Sequence, residues 1–487
     1  MFDWPWTTII AVGTTIGGYL LGFLLIPRII LGRREAGATL AWILAILFLP
    51  YLGALLFFLI GRTRVRRRTK KKRIRNDAFL RSLEQLPESP TACPPADDLL
   101  PDLSAAAHDI TVLASTVSQS PPMPGNEVQV FIDANQAYDS MENAIRNAQH
   151  HVHLQSYIYR TDAAGLRFRD LLIEKARQGV ECRLLVDGVG GHQINKRFLK
   201  PLLDAGAQFA RFMPVFKLSP HWRPNLRNHR KILIVDGVQG FCGGLNIGEE
   251  YQGRRKKFAP WRDTHLRLKG PVVRQLQGVF SEDWHYASGE DLADEQHFPL
   301  TSPCGSQWVH VVDSGPDNEH ESIYSVFFTA VTEANDNIFI TTPYFVPDAP
   351  MRMALKAAAW KGVDVRLLLP GKSDLRLVQL AGRSYYKELL EAGVRIYEHH
   401  PGILHAKTMV IDGAWSTVGS ANMDIRSFRL NFEANILISG EDFAKTMQRI
   451  FYEDLKNARE LTRESLSSKR WGTRLAEAMA RILSPVL

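Results

Sequence analysis

His229-Arg230-Lys231-Ile232-Leu233-Ile234-Val235-Asp236 and His405-Ala406-Lys407-Thr408-Met409-Val410-Ile411-Asp412 are two copies of one pattern, His-x-Lys-x-x-x-x-Asp. Successive side chains of an extended strand alternate between faces, so a His and a Lys two apart share one side. An imidazole and an ammonium then reach the same space. The four apolar residues after each lysine carry the strand inward. Asp236-Gly237 and Asp412-Gly413 follow, dipeptides that suit hairpin turns. His229, Lys231, Asp236, His405, Lys407 and Asp412 form the candidate catalytic set, and within it the two aspartates read as turn anchors more readily than as chemical groups.

The surroundings repeat too. Gly179-Val180-Glu181-Cys182-Arg183-Leu184-Leu185 is matched by Gly362-Val363-Asp364-Val365-Arg366-Leu367-Leu368, and Leu202 to Gly206 by Leu389 to Gly393. Ala144 to Ala148 with the strand through Tyr157 is matched by Ala330 to Ala334 with the strand through Tyr344. Strand and helix signals alternate from Asn126 onward. The chain reads as α/β, with two tandem domains at 126–305 and 306–487, each a mixed sheet flanked by helices. A shared site is expected between them.

Each motif is followed by a return strand ending in small residues, Gly243-Gly244-Leu245-Asn246 and Gly419-Ser420-Ala421-Asn422. Both asparagines lie 17 residues beyond their histidines. Small residues let a phosphate approach backbone and amide donors, which makes Asn246, Ser420 and Asn422 candidate phosphate or supporting groups. Asp263-Thr264-His265 and Glu433-Ala434-Asn435 match in turn. A carboxylate bonded to one imidazole nitrogen fixes the tautomer and leaves the other nitrogen free. Gly244 stands where the second copy has Ser420, so the half-sites are not equivalent. Two imidazoles and two ammonium groups suit the cutting and rejoining of a phosphodiester. No Walker-type loop, no DxD-like cluster in the repeated site and no Cys/His metal set accompanies them, so no cofactor or metal is expected. His150, His151, His153, His399 and His400 read as strand alternation or surface use. Cys93, Cys182, Cys242 and Cys304 are scattered, and reduced thiols in a cytosol-facing body are expected, although four is also a disulfide count.

Thr7 to Leu31 is apolar apart from Arg28, and Thr39 to Ile60 carries no charge. Each is long enough to cross a hydrocarbon core of about 30 Å, so residues 1–61 read as a hairpin of two transmembrane helices that Pro50 kinks in its second span. Met1-Phe2-Asp3-Trp4 lacks the basic start of a signal peptide. Arg33 and Arg34 in the short loop blur the charge signal and admit a re-entrant hairpin instead. Ten cations from Arg62 to Arg75 follow, with no acid among them. The net charge of the chain is +8, so the rest sums to 8 − 10 = −2. That distribution argues against nucleic acid, favours anionic lipid headgroups and places the body on the cytoplasmic side. Residues 62–125 read as this basic run and a Pro-rich spacer with one short helix from Asp102 to Val117. Residues 471 to 483 read as an amphipathic helix, with packing on the domain as the default and a membrane surface as the alternative.

The paired motif resembles the phospholipase D superfamily from about Asn126 onward. Within it the chain resembles the bacterial cardiolipin synthases with two N-terminal membrane segments. Asn228-His229-Arg230-Lys231-Ile232, Pro260-Trp261-Arg262-Asp263-Thr264-His265, Thr342-Pro343-Tyr344-Phe345-Val346-Pro347, Asn422 to Phe428 and, in the anchor, Leu49-Pro50-Tyr51-Leu52-Gly53 carry that resemblance. It implies a multi-pass protein of the bacterial inner membrane that converts two phosphatidylglycerols into cardiolipin and glycerol. It implies His229 as nucleophile, His405 as general acid and base, Lys231 and Lys407 on the nonbridging oxygens, and Asp263 and Glu433 as orienting groups. A hydrolase of the same superfamily, a transferase with phosphatidylethanolamine as second lipid, and a non-enzymatic scaffold are the alternatives. Protein partners are not indicated.

Overall fold

The computed structural model describes residues 5–32, 36–58, 103–118, 120–213, 225–255, 259–318, 320–467, 471–482 and 484. The basic run, the prolines from Pro87 to Pro101, Cys93, Arg33, Arg34, Leu483 and the last three residues lie outside them. The chain divides into two compact units, the N-terminal helices and the body.

In the first unit Trp6–Ile30 is one apolar helix of 25 residues, long enough to cross a membrane. The second expected span is not continuous. A helix Ala36–Phe48 stops at Leu49, whose backbone (φ −133°, ψ 67°) is not helical, and Pro50–Leu56 begins a new one. In a straight helix Ala45 and Gly53 would stand about 12 Å apart. Here a side chain on Gly53 would collide with the Ala45 carbonyl, so the second helix folds back on the first. Glycine is required there because backbone meets backbone. The long helix holds the fold-back in place. Tyr51 Oη donates to the Thr14 carbonyl (2.6 Å), and the Pro50 ring lies against Gly18.

The body consists of two halves with the same strand order. In the first half the order is Met123–Phe131, His265–Lys269, Gln239–Gly243, Ile232–Val235, His151–Ser156, Glu181–Asp187, Gln208–Phe212. In the second it is Gln307–Ser314, Asn431–Ser439, Trp415–Gly419, Thr408–Ile411, Asn337–Thr341, Asp364–Pro370, Arg395–His399, with Ala458–Leu461 added at the edge. The last three shared strands of each half are parallel and the others antiparallel. Met123–Phe131 pairs with Gln307–Ser314, which joins both sheets into one.

Strand alternation explains the layers. Ile232 and Ile234 enter a central core with Val410, Ile436 and the helices Val273–Ser288 and Glu441–Leu455. Leu233 and Val235 point the other way into an outer core with Tyr138, Phe168 and Leu172. A second outer core holds Ile338, Leu367 and Val326. The short helix expected in the spacer is present as Ala105–Ser118, and it is no spacer. Ala107, Ile110 and Ala114 are buried in the outer core of the second half. Cys182, Cys242 and Cys304 are free thiols.

Candidate active site

Each histidine enters the site beside a strand of the opposite half. Arg227–Asn228 pairs in parallel with Asn431–Phe432, and the His229 amide donates to the Phe432 carbonyl (2.8 Å). Ile403–Leu404 pairs in parallel with Trp261–Arg262, and the His405 amide donates to the Arg262 carbonyl (2.7 Å). The carboxylates are therefore crossed. His229 Nδ1 meets both oxygens of Glu433 at 2.9 and 3.0 Å. His405 Nδ1 meets Asp263 Oδ2 at 2.7 Å. In each ring the Nδ1 proton is committed to the carboxylate, which leaves Nε2 with a lone pair when the ring is neutral.

His229, His405, Lys231, Lys407, Asp263 and Glu433 are all buried. Burial pushes the His229 ring down to about 4, against the pull of Glu433 and with help from the Lys231 ammonium. Burial and then Lys407 also lower His405, while Asp263 and, further off, Asp374 favour its protonated form. Burial pushes the Asp263 carboxyl up, but Lys407 and His405 outweigh it and hold the group at about 2. Glu433 is lowered as well: His229 and Lys231 overcome the desolvation. Burial lowers Lys231 to about 7 and Lys407 to about 8. Each ammonium also feels charges from the other half, so the two motifs form one site. Lys231 Nζ donates to the His229 carbonyl (2.5 Å), and Lys407 Nζ lies 2.9 and 3.2 Å from the two nitrogens of His405.

The Gly244/Ser420 asymmetry has a steric cause. A side chain at Gly244 would overlap the Asp263 carboxylate. Ser420 instead donates to Glu433 Oε2 (2.5 Å), and Asn431 Nδ2 donates to Oε1 (3.0 Å). Ser420 thus supports the carboxylate and does not face a phosphate. Asn246 turns Oδ1 to the Ile158 amide (3.0 Å). Asn422 Nδ2 lies 3.2 Å from Ser427 Oγ, and its buried Oδ1 has no hydrogen-bond partner among the described residues.

Asp236 and Asp412 do not belong with the catalytic candidates. Both have left-handed backbone (φ 54° and 52°) and open the Asp-Gly turns. Asp236 accepts from the amides of Gln149, His150 and His151 at 2.8–3.0 Å, and Asp412 from Asn335, Asp336 and Asn337 at 2.8–2.9 Å. They stand at the far ends of the strands, where they fix the entry of the neighbouring strand.

Residues to which the repeated pattern assigns no role also surround the histidines. The Tyr157 ring meets His229 edge-on at 4.9 Å, and Trp261 lies 5.1 Å from His405. Tyr344 lies 6.4 Å from His405, and its hydroxyl donates to Asp374 (2.9 Å). Arg230, between His229 and Lys231, is buried. It pairs with Asp283 (2.9 Å) and Asp313 and donates to the Glu433 carbonyl (3.0 Å), which ties the halves together behind His229.

The cardiolipin synthase PLD-like domain model matches residues 141–284 and 327–455, and a phospholipase D-nuclease N-terminal model matches 20–62. A cardiolipin synthase of Geobacillus kaustophilus is 39% identical over 460 residues, 94% of this chain and 90% of that protein. Cardiolipin synthase 2 of Bacillus cereus is 36% identical over 479 residues, 97% of this chain and 90% of that one. A cardiolipin synthase of Clostridium perfringens is 37% identical over 465 residues, 93% and 95% of the two. The crystal structure of a phosphatidylserine synthase of Haemophilus influenzae covers 78% of this chain and all of its own, with a TM-score of 0.59 at 14% identity, and so shares the fold. A family match across both halves, and relatives well above 30% identity along almost the whole length, show that the chain belongs to the cardiolipin synthases, membrane-associated phosphatidyltransferases of the phospholipase D superfamily.

Proposed function

We propose that the enzyme joins two phosphatidylglycerols into cardiolipin and glycerol through a phosphatidyl-histidine at His229. The observation that carries this reading is the His229–Glu433 clamp. It holds a neutral ring with Nδ1 engaged and Nε2 available as nucleophile. Nε2 attacks phosphorus, the bond from phosphorus to the glycerol headgroup breaks, and His405 gives its proton to the departing oxygen. The hydroxyl of a second phosphatidylglycerol then loses a proton to His405 and attacks the same phosphorus. The N–P bond breaks and His229 is restored. Lys231 and Lys407 stabilise charge on the nonbridging oxygens. No net phosphodiester is lost, so the reaction should lie near equilibrium, and excess glycerol should drive it back. Purified enzyme in phosphatidylglycerol vesicles with chelator and no CTP should form cardiolipin and glycerol in equal amounts. Phosphatidic acid as the main product would instead identify a hydrolase.

Binding should move protons. At pH 8 the depressed lysines are partly neutral in the free protein. A bound anion raises their proton affinity, so a diethyl phosphate ion should be accompanied by proton uptake. Calorimetry in two buffers of different ionisation enthalpy reads this directly. Zero or negative uptake at pH 8 would contradict the site electrostatics.

We further propose that the body is cytoplasmic and the chain crosses the bilayer once. The pair Ala36–Phe48 and Pro50–Leu56 is re-entrant in this reading. Its first arm of 13 residues reaches about 20 Å, short of the core thickness. Arg28, Arg33, Arg34 and the ten cations from Arg62 to Arg75 then share one side, as the positive-inside rule favours. The multi-pass alternative would strand Arg33 and Arg34 on the outside. An N-terminal tag should be reached by protease from the periplasmic face and the body only from the cytoplasmic face. A tag and body exposed on the same side would restore the two-span hairpin.

A further inference from the structure

The helix Trp471–Ile482 turns its apolar side away from the domain. At about 100° per residue, Trp471, Leu475, Met479 and Ile482 lie within about 80° of one another. They are 76%, 43%, 60% and 76% exposed. The opposite side docks: Glu477 and Ala480 are buried, and Ser484 beyond the helix bonds the Tyr385 hydroxyl (3.0 Å). The expected packing of the apolar stripe on the body is therefore reversed: the side that carries Glu477 and Ala480 seats the helix. The helix lies against Arg376–Arg383. Leu375 and Leu377 at the start of that neighbour are 49% and 44% exposed.

Charge points to the occupant. Arg474 and Arg481 flank the stripe, Arg376 is exposed on the neighbouring helix, and the only acid of the two helices, Glu477, faces inward. A second copy packed symmetrically on this face would bring these cations against their own counterparts. An anionic leaflet would neutralise them while accepting the Trp, Leu, Met and Ile side chains. The position is also suited to lipid. Arg376–Arg383 begins two residues after Asp374, which holds the Tyr344 hydroxyl beside His405.

We propose that Trp471–Ile482 is an interfacial membrane-docking helix, a contact separate from the N-terminal anchor, that lays its apolar stripe into an anionic phospholipid surface at the rim of the active site. The proposal does not depend on which phospholipid is the acceptor. The test uses the full chain reconstituted in vesicles of phosphatidylglycerol and phosphatidylcholine, with Cys304 and Cys93 replaced by serine. Spin labels are placed one at a time at Leu475, Met479 and, off the stripe, Ala476. Oxygen should relax the first two more than a water-soluble nickel chelate does, and Ala476 should show the reverse. A second variant, L475E/M479E, changes only exposed positions. Its ratio of turnover on vesicles to turnover on micellar short-chain phosphatidylglycerol should fall at least about tenfold, as loss of the inserted apolar surface requires. Labels that all report water, dipolar broadening between two copies in place of lipid contact, or an unchanged ratio would each overturn the proposal.

Discussion

His229→Gln should abolish the phosphatidyl adduct and lower kcat by at least about 10⁴-fold, the loss expected when the nucleophile of a covalent mechanism is removed. The ring is replaced by a side chain of similar reach that can still bond Glu433, so the buried carboxylate keeps a donor. His405→Gln should behave differently. It removes the proton supplied to the departing glycerol and the base for the second alcohol, while the nucleophile remains. A donor whose leaving group is a nitrophenol needs no acid, so His405→Gln should still release one equivalent of nitrophenol in a burst. His229→Gln should release none above background. Circular dichroism and melting of both variants distinguish lost chemistry from lost folding.

The crossed carboxylates give the second large effect. Glu433→Gln should act on His229 and Asp263→Asn on His405, each with a loss of roughly 10²–10⁴-fold on phosphatidylglycerol, by analogy with removal of the orienting carboxylate of a catalytic histidine. The two are separated by the same nitrophenol donor. Asp263→Asn should recover much of its first turnover because acid catalysis is no longer required. Glu433→Gln should not recover, because the nucleophilic ring has lost its tautomer and orientation. If each carboxylate served the histidine of its own half, the pattern would be inverted.

The sequence already displayed the skeleton of this site. The doubled His-x-Lys pattern, the Asp-Gly turns and the matched segments around Gly179 and Gly362 led directly to two similar sheets. Asp236 and Asp412 were legible as turn anchors because left-handed backbone at Asp-Gly is a local property. The pairing of carboxylates was not legible. Asp263 and Glu433 are repeat equivalents, and only the short strand pairs Arg227–Asn228 with Asn431–Phe432 and Ile403–Leu404 with Trp261–Arg262 decide that each serves the other half. Ser420 read as a phosphate donor for the same reason: its spacing is correct, but its hydroxyl turns to Glu433. Pro50 announced a break in the second apolar segment. That the segment folds back depends on Gly53 meeting Ala45 across the break and on Gly18 meeting Pro50, a contact between residues distant in sequence. The stripe of Trp471, Leu475, Met479 and Ile482 was readable as well, whereas its outward direction follows from Ala480 and Glu477 taking the buried side.

The claim on which the mechanism rests is a covalent bond between phosphorus and one named nitrogen. The direct measurement is a denaturing quench of the enzyme during turnover on phosphatidylglycerol, kept at alkaline pH where phosphohistidine survives, followed by digestion and fragmentation mass spectrometry. The expected result is a phosphatidyl mass on the peptide containing His229, with fragment ions assigning it to that residue, present in His405→Gln and absent in His229→Gln. A phosphatidyl group on His405, or turnover with no adduct on either peptide, would contradict the account.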